Sequence, residues 1–121
     1  RLGDWLGEIS AQMAIAKGHR ADGLVNYAIE ALEAALAIAR KLKDRRRIGE
    51  VITAMVELMP ADFALQTMEE EATSARAAGD LKRQMFALQG IVGLQLALSK
   101  PEVALREAER GVSLAREAGD P

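Results

Sequence analysis

Few residues in this chain could do chemistry. His19 is the single histidine among 121 residues, and there is no cysteine. Because a metal site or a proton-transfer site needs several converging ligands or partners, an isolated histidine predicts neither. We expect His19 to be a solvated residue in a turn between helices. The sequence therefore predicts no enzyme activity, no metal site and no cofactor.

A run of acidic residues, Glu69-Glu70-Glu71, would be able to hold a metal or move a proton only if its carboxylates converged. Consecutive residues of a helix point in different directions, so these carboxylates do not converge. We predict a solvated helix face. If the repeat alignment given below holds, however, Glu71 is semi-buried and requires a basic neighbour.

The sharpest charge feature is a basic cluster, "RKLKDRRR", between positions 40 and 47. Six of its eight residues are basic and one is acidic, whereas positions 48–80 carry one basic and seven acidic residues. One interpretation is a patch that binds anions or nucleic acid through salt-sensitive phosphate contacts. Its candidate residues are Arg40, Lys41, Lys43, Arg45, Arg46 and Arg47.

The alternative is a structural role for this basic cluster. Basic residues favour the negative end of a helix dipole, which accounts for Arg40–Lys43. The cluster can also pair with the acidic residues that follow it, in the same chain or in a neighbour. No aromatic residues interleave to stack bases, and the net charge is −2, so we favour this interpretation over nucleic-acid binding.

A repeated phrase defines the elements that position these residues. "AIARKLKD", "SARAAGD" and "SLAREAGD" end at Asp44, Asp80 and Asp120, and Gly3-Asp4 fits the same series. Spacings of 40, 36 and 40 residues are typical of helical-pair repeats, and the shorter unit lacks about one helical turn. We predict three repeats, at residues 4–43, 44–79 and 80–119.

Each repeat is predicted to contain two helices and no strand. The predicted helices span residues 4–17, 24–41, 45–58, 61–77, 81–98 and 101–118. Asp44 and Asp80 are predicted N-caps, and Gly79 and Gly119 are predicted left-handed residues at helix ends. The 23 alanines favour closely packed helices. Buried stripes are predicted at Ala28, Ile29, Leu32, Ala35, Leu36 and Ala39, and at Ala104, Leu105, Ala108, Val112 and Ala115.

These residues resemble the tetratricopeptide repeat in its longer-period variety of 36–40 residues. The small residue of that family's second helix falls on Ala28, Ala64 and Ala104. The resemblance implies an all-α solenoid of three antiparallel helix pairs in a right-handed superhelix. It also implies a concave face on the first helices, where partners bind. Carried over, that face contains Met13, Lys17, Gly49, Thr53, Val56, Phe86, Gln89, Gly93 and Leu96.

Such a face is mostly small and apolar, which suits an amphipathic helix or an extended peptide. We therefore expect a non-catalytic protein–protein interaction module with a peptide or protein partner, in a larger signalling or regulatory protein. Two alternatives remain open. The repeats can self-associate as a structural scaffold, or they can form a sensor arm of a bacterial regulator that responds to a ligand or nucleic acid.

Two further expectations concern location and chain context. The longest uncharged stretch, Gln84–Ser99, is too short and too polar to span a membrane, and the absence of cysteine fits the cytoplasm. Asp120-Pro121 is typical of an N-cap followed by a first-turn proline, so a further helix is expected after it. Because the first residue is Arg1, we expect the chain to be a fragment of a longer array.

Overall fold

A computed structural model describes residues 1–119, apart from the side chain of Leu2, and the regular structure of this part of the chain is entirely helical. Five of the six helices agree with the predicted bounds to within one residue, and the all-α class is confirmed. The helices are α1 (Leu2–Ala21), α2 (Val25–Lys41), α3 (Arg45–Glu57), α4 (Ala61–Ala77), α5 (Leu81–Ala97) and α6 (Pro101–Glu117). The exception is α1, which begins earlier than predicted and continues past Lys17 to Ala21.

The helices form two compact units. The first unit, Arg1–Leu58, contains α1, α2 and α3, and the second begins at Met59 and contains α4, α5 and α6. In the first unit α2 packs against α1 and α3, and in the second α5 packs against α4 and α6. Each helix thus packs mainly against its neighbours in sequence, as in a helical repeat solenoid.

Within the first unit, α1 and α3 run in the same direction. Ser10, in the middle of α1, and Arg46, near the start of α3, line one groove. Arg20 and Glu57, near their ends, form an ion pair with an N···O distance of 3.5 Å. Since α2 connects α1 to α3 and packs against both, the helix order fits antiparallel pairs.

Asp44 and Asp80 begin α3 and α5 as the sequence predicts. Each carboxylate accepts a hydrogen bond of 3.1 Å from the backbone N–H three residues later, that of Arg47 or Arg83. This satisfies one of the free N–H groups of the first turn. Asp4 differs because it lies inside the first turn of α1. The cap predicted at Asp120-Pro121 lies outside the described residues.

A residue with positive φ follows five of the six helices. These residues are Gly23, Lys43, Gly79, Ser99 and Gly119, with φ between 54° and 76°. In each case its N–H bonds the carbonyl three residues earlier, as Gly79 does to Arg76 at 3.1 Å. The prediction for Gly79 and Gly119 is confirmed, and the same motif recurs where no glycine marks it.

The short repeat loses its helical turn from α3. This helix has 13 residues, whereas α2, α4, α5 and α6 have 17 each. Because four residues make slightly more than one turn, their loss rotates the following residues by only about 40°. The predicted deletion of one turn is therefore confirmed, and the repeat tolerates it.

Alanine forms much of the core. Ala28, Ala35 and Ala39 of α2 have no exposed surface. Small side chains at these positions let the backbones of neighbouring helices approach closely. The stripe predicted on α6 is wrong beyond Ala104, because Val112 is 52% exposed. The reason is that α6 has one principal neighbour, α5, and one apolar side of the helix remains uncovered.

Candidate functional site

Met13 and Lys17, two residues of the predicted concave face, lie in a groove between α1 and α3 with a volume of about 330 Å³. We call it the α1–α3 groove. Its floor includes Ile9 and Val51, which are 3% and 1% exposed. From α3 the lining residues are Arg46, Arg47, Glu50 and Val51. The groove thus combines an apolar floor with charged walls.

The three residues of α3 in the predicted concave face do not line this groove. Thr53 is exposed, and Gly49 and Val56 are half-buried. Arg46 and Glu50 lie on the groove side instead. The signal was present in the sequence, because the apolar residues that α3 buries, which include Ile48, fix the rotation of the helix about its axis.

Three cations surround the α1–α3 groove. Lys17 is exposed. Arg46 donates a hydrogen bond of 2.8 Å from Nη1 to Oε1 of Glu50, and both side chains are more than half exposed. Exposed pairs of this kind contribute little to stability, so Arg46 is available to another carboxylate. With Arg47, the rim carries more positive than negative charge.

Asp44 anchors Arg47 beside this groove. The Nη1 of Arg47 donates to Oδ2 of Asp44 at 2.7 Å, and the two side chains are about three-quarters buried. The backbone N–H and the guanidinium of Arg47 hold the pKa of Asp44 below its ordinary value. The position of Arg47 is therefore set by the cap of its own helix.

The basic cluster is divided between two elements. Arg40 and Lys41 end α2, Lys43 lies in the turn, and Arg45 begins α3. The Nζ of Lys41 lies 5.8 Å from the centre of the Trp5 ring, within cation–π range. Arg46 and Arg47 contribute to the α1–α3 groove, which also contains Met13 and Lys17. Parts of two sites that the sequence predicts separately thus meet at one place.

In the second unit the predicted concave residues are distributed over α5. Gln89 lies in a groove of about 410 Å³ between α5 and α6, which we call the α5–α6 groove. Its other lining residues are Met85, Leu88, Val92, Glu107, Ala108, Gly111, Val112 and Ala115. Phe86 is half-buried, Gly93 and Leu96 are exposed, and none of these three lines that groove.

Glu71 is fully buried, so the solvated face predicted for the acidic run is wrong at this residue. Its two carboxylate oxygens accept hydrogen bonds of 2.8 Å from Nε and Nη2 of Arg83. Arg83 also donates to the hydroxyl of Ser74 at 3.0 Å. The hydrogen bonds to Glu71 raise the pKa of Arg83 above its ordinary value. The basic neighbour that a buried Glu71 requires is therefore present on α5.

A polar cleft of about 240 Å³ lies among α4, α5 and α6. Its polar lining includes Arg76, Gln84, Gln95 and Arg110. The buried Oε1 of Gln95 has no hydrogen-bond partner. The sequence does not predict this cleft, because its residues come from three helices and share no local pattern.

His19 lies in the last turn of α1 and is half-buried, so the turn position predicted for it is wrong. The reason is that α1 ends at Ala21, where Gly23 rather than Gly18 takes the left-handed conformation. The centre of the His19 ring is 5.5 Å from the centre of the Tyr27 ring. Across residues 1–119 there is no group of three His, Cys, Asp or Glu residues that could hold a metal ion.

Neither a protein-family model nor a curated protein matches this chain. The resemblance to the tetratricopeptide repeat therefore remains a prediction. No helix in the described part of the chain has both the length and the apolar character that crossing a membrane needs.

Proposed function

We propose that the chain is a tetratricopeptide-like interaction module whose α1–α3 groove binds an acidic, amphipathic peptide segment of a partner protein. One observation carries this proposal. The buried floor formed by Ile9 and Val51 lies between cationic side chains, Lys17 and Arg46 among them. A peptide with apolar residues on one side and carboxylates on the other matches both features.

The size of the groove limits what it can hold. A volume of about 330 Å³ is at the small end of the range for ligand sites. It admits a few apolar side chains, while the rest of the peptide crosses the surface. Lys17 and Arg46 then add electrostatic attraction, which favours association and selects against basic segments.

The wider setting belongs to the same proposal. A non-catalytic binding module acts by holding its partner, so we place the chain in a larger signalling or regulatory protein. The absence of cysteine among 121 residues supports a reducing compartment, and we propose the cytoplasm.

The first test compares two labelled helical peptides with identical apolar faces, one with glutamates and one with lysines on its polar face. Fluorescence anisotropy measures their binding. We expect the acidic peptide to bind more tightly and to weaken as salt is raised. Lys17→Glu and Arg46→Glu should each weaken it about tenfold, as for the loss of one close charge pair. Met13→Asp should weaken it too, because it places a charge against the apolar floor.

Lys82→Glu is the matched control, because Lys82 is an exposed lysine at the start of α5, outside the groove. It should leave binding close to that of the unmodified chain. Equal binding of the two peptides, or an equal loss in Lys82→Glu and Lys17→Glu, would contradict the proposal. An oligonucleotide that displaces the peptide and itself binds more tightly would favour the sensor alternative.

A further inference from the structure

The pair α5 and α6 has a counterpart inside the same chain. The pair α1 and α2 corresponds to it at a constant spacing of 76 residues. Gly23 and Ser99, which end the first helix of each pair, both have positive φ. Ala28 and Ala104, in the second helix, are 0% and 2% exposed. The two pairs can therefore be compared position by position.

The same surface is covered in one pair and open in the other. Leu32 and Leu36 of α2 are 2% and 7% exposed. Their equivalents in α6 are Ala108, which is exposed, and Val112, which is 52% exposed. In the first unit α3 packs against α2. By analogy with the first unit, the helix that would cover this surface is one of the α3 and α5 type.

One helix of that type has its own packing face uncovered, and it is α1. In α5 the face toward α4 includes Arg83, which binds Glu71, and Gly90, which lies against Met68. Four positions of α5 on or near this face are Arg83, Ala87, Gly90 and Ile91. At the same spacing of 76 residues, α1 has Gly7, Ala11, Ala14 and Ile15. Ala87 and Ile91 are 0% and 5% exposed, whereas all four residues of α1 are exposed.

We propose that α1 of a second copy of this chain packs into the α5–α6 groove, in the manner in which α5 packs against α4. Ile15 of one copy then takes the place of Ile91, and Val112 of the other takes the place of Ala72. Gly7 and Gly111 take the places of Arg83 and Glu71, so the buried charge pair of α4 and α5 has no counterpart here and the helices can approach closely. The contact is head-to-tail, because it joins two different faces.

This contact and the peptide site proposed above use different faces of α1, apart from Ala14, which also lines the α1–α3 groove. Met13 and Lys17 are not part of the face of α1 that enters the groove. Neither Ile15 nor Val112 lines the α1–α3 groove, so self-association and peptide binding are testable independently, and the failure of one leaves the other intact.

The experiment measures mass by light scattering on a sizing column over a wide range of protein concentration. The unmodified chain should exceed the 13.0 kDa of one chain as concentration rises. Ile15→Glu and Val112→Glu should each remain at the mass of one chain, because each loses one of the two faces. An equimolar mixture of the two variants should form a particle of two chains and none larger. In the mixture the intact groove of one variant meets the intact α1 of the other.

Phe63→Glu is the control, since Phe63 is 58% exposed on α4 and belongs to neither face. It should assemble like the unmodified chain. Circular dichroism should give all four proteins the same helix content, and the two interface variants should bind the acidic peptide unchanged.

Three results would overturn the proposal. The first is an unmodified chain that stays at the mass of one chain at the highest concentration, which would leave the groove to a partner of another sequence. The second is dimer formation by either variant alone, which would show that two like faces pair. The third is a mixture that contains only single chains.

Discussion

The guanidinium of Arg83 meets the carboxylate of Glu71 through two hydrogen bonds of 2.8 Å, and the two side chains are 7% and 0% exposed. The two residues belong to different helices, α5 and α4. The free-energy cost of removing both charges from water offsets most of their electrostatic attraction, so the pair adds little net stability. Losing one partner is different, because the other charge is then buried alone.

We predict that Arg83→Met and Glu71→Leu each lower the free energy of unfolding by about 3–5 kcal/mol. The double variant should lose much less, because two apolar side chains of similar volume then fill the site. Urea denaturation of the four proteins in one cycle gives the coupling energy. Single losses that simply add in the double variant would show that the pair is not coupled.

The sequence predicts one partner of this pair and not the other. The repeat alignment places Glu71 where α2 has Ala35 and thereby predicts burial and a basic neighbour. It does not say which basic residue, since Arg83 lies on the following helix at a position where α3 has Arg47. In α3 that arginine pairs with Asp44 beside it. Only the packing of α4 on α5 decides which carboxylate each arginine takes.

At the scale of the helix, the ends were predictable because they depend on local chemistry. Asp44 and Asp80 accept N–H groups three residues away, a geometry that the backbone of the first turn supplies. Lys43 and Ser99 were not predictable, because a side chain with positive φ is disfavoured locally and is held there by the packing of the helices it joins. The rotation of α3 was predictable from its buried apolar residues, but the residues carried over from the family placed Gly49, Thr53 and Val56 on the concave face.

We predict that Asp44→Ala lowers stability by about 1 kcal/mol near neutral pH, since α3 loses its N-cap. The folded-state pKa of Asp44 lies below its ordinary value of 3.8, so its charge contributes stability that is fully present above that pH. This contribution is lost as pH falls through the folded-state pKa. The difference in stability between the unmodified chain and the Asp44→Ala variant should therefore become smaller below pH 3.8.

Asp44→Asn separates the two effects in this prediction, because asparagine is also a good N-cap but carries no charge. The Asp44→Asn variant should keep most of the stability of the unmodified chain near neutral pH. It should lack the part of the pH dependence that comes from the charge of Asp44. Thermal unfolding followed by circular dichroism at several pH values makes the comparison. A gap that stays constant down to the lowest pH would show that the charge of Asp44 contributes nothing.

Over the whole molecule, a net charge of −2 conceals a difference between the two units. Residues 1–58 carry nine basic and eight acidic residues, and residues 59–121 carry seven and ten. The α1–α3 groove lies in the more positive unit, which favours approach by an acidic segment. Overall composition could not reveal this, because it averages over elements that occupy different places.

The place of a helix in the array also decides how it responds to a larger core residue. Ala28 lies in α2, between α1 and α3, whereas Ala104 lies in α6, whose principal neighbour is α5. We predict that Ala28→Leu lowers the free energy of unfolding by about 1–3 kcal/mol, because two packed helices must move. Ala104→Leu should lower the free energy of unfolding by less, since α6 can shift toward its uncovered side.

Self-association should make the stability loss of Ala104→Leu depend on protein concentration. If α1 of a second copy fills the α5–α6 groove, α6 is confined at high protein concentration as α2 is confined within one chain. The cost of Ala104→Leu should then rise with concentration, while that of Ala28→Leu stays constant. Urea denaturation at low and high protein concentration measures both. Equal losses at the two sites in dilute solution would show that the free side of α6 gives the added leucine no room.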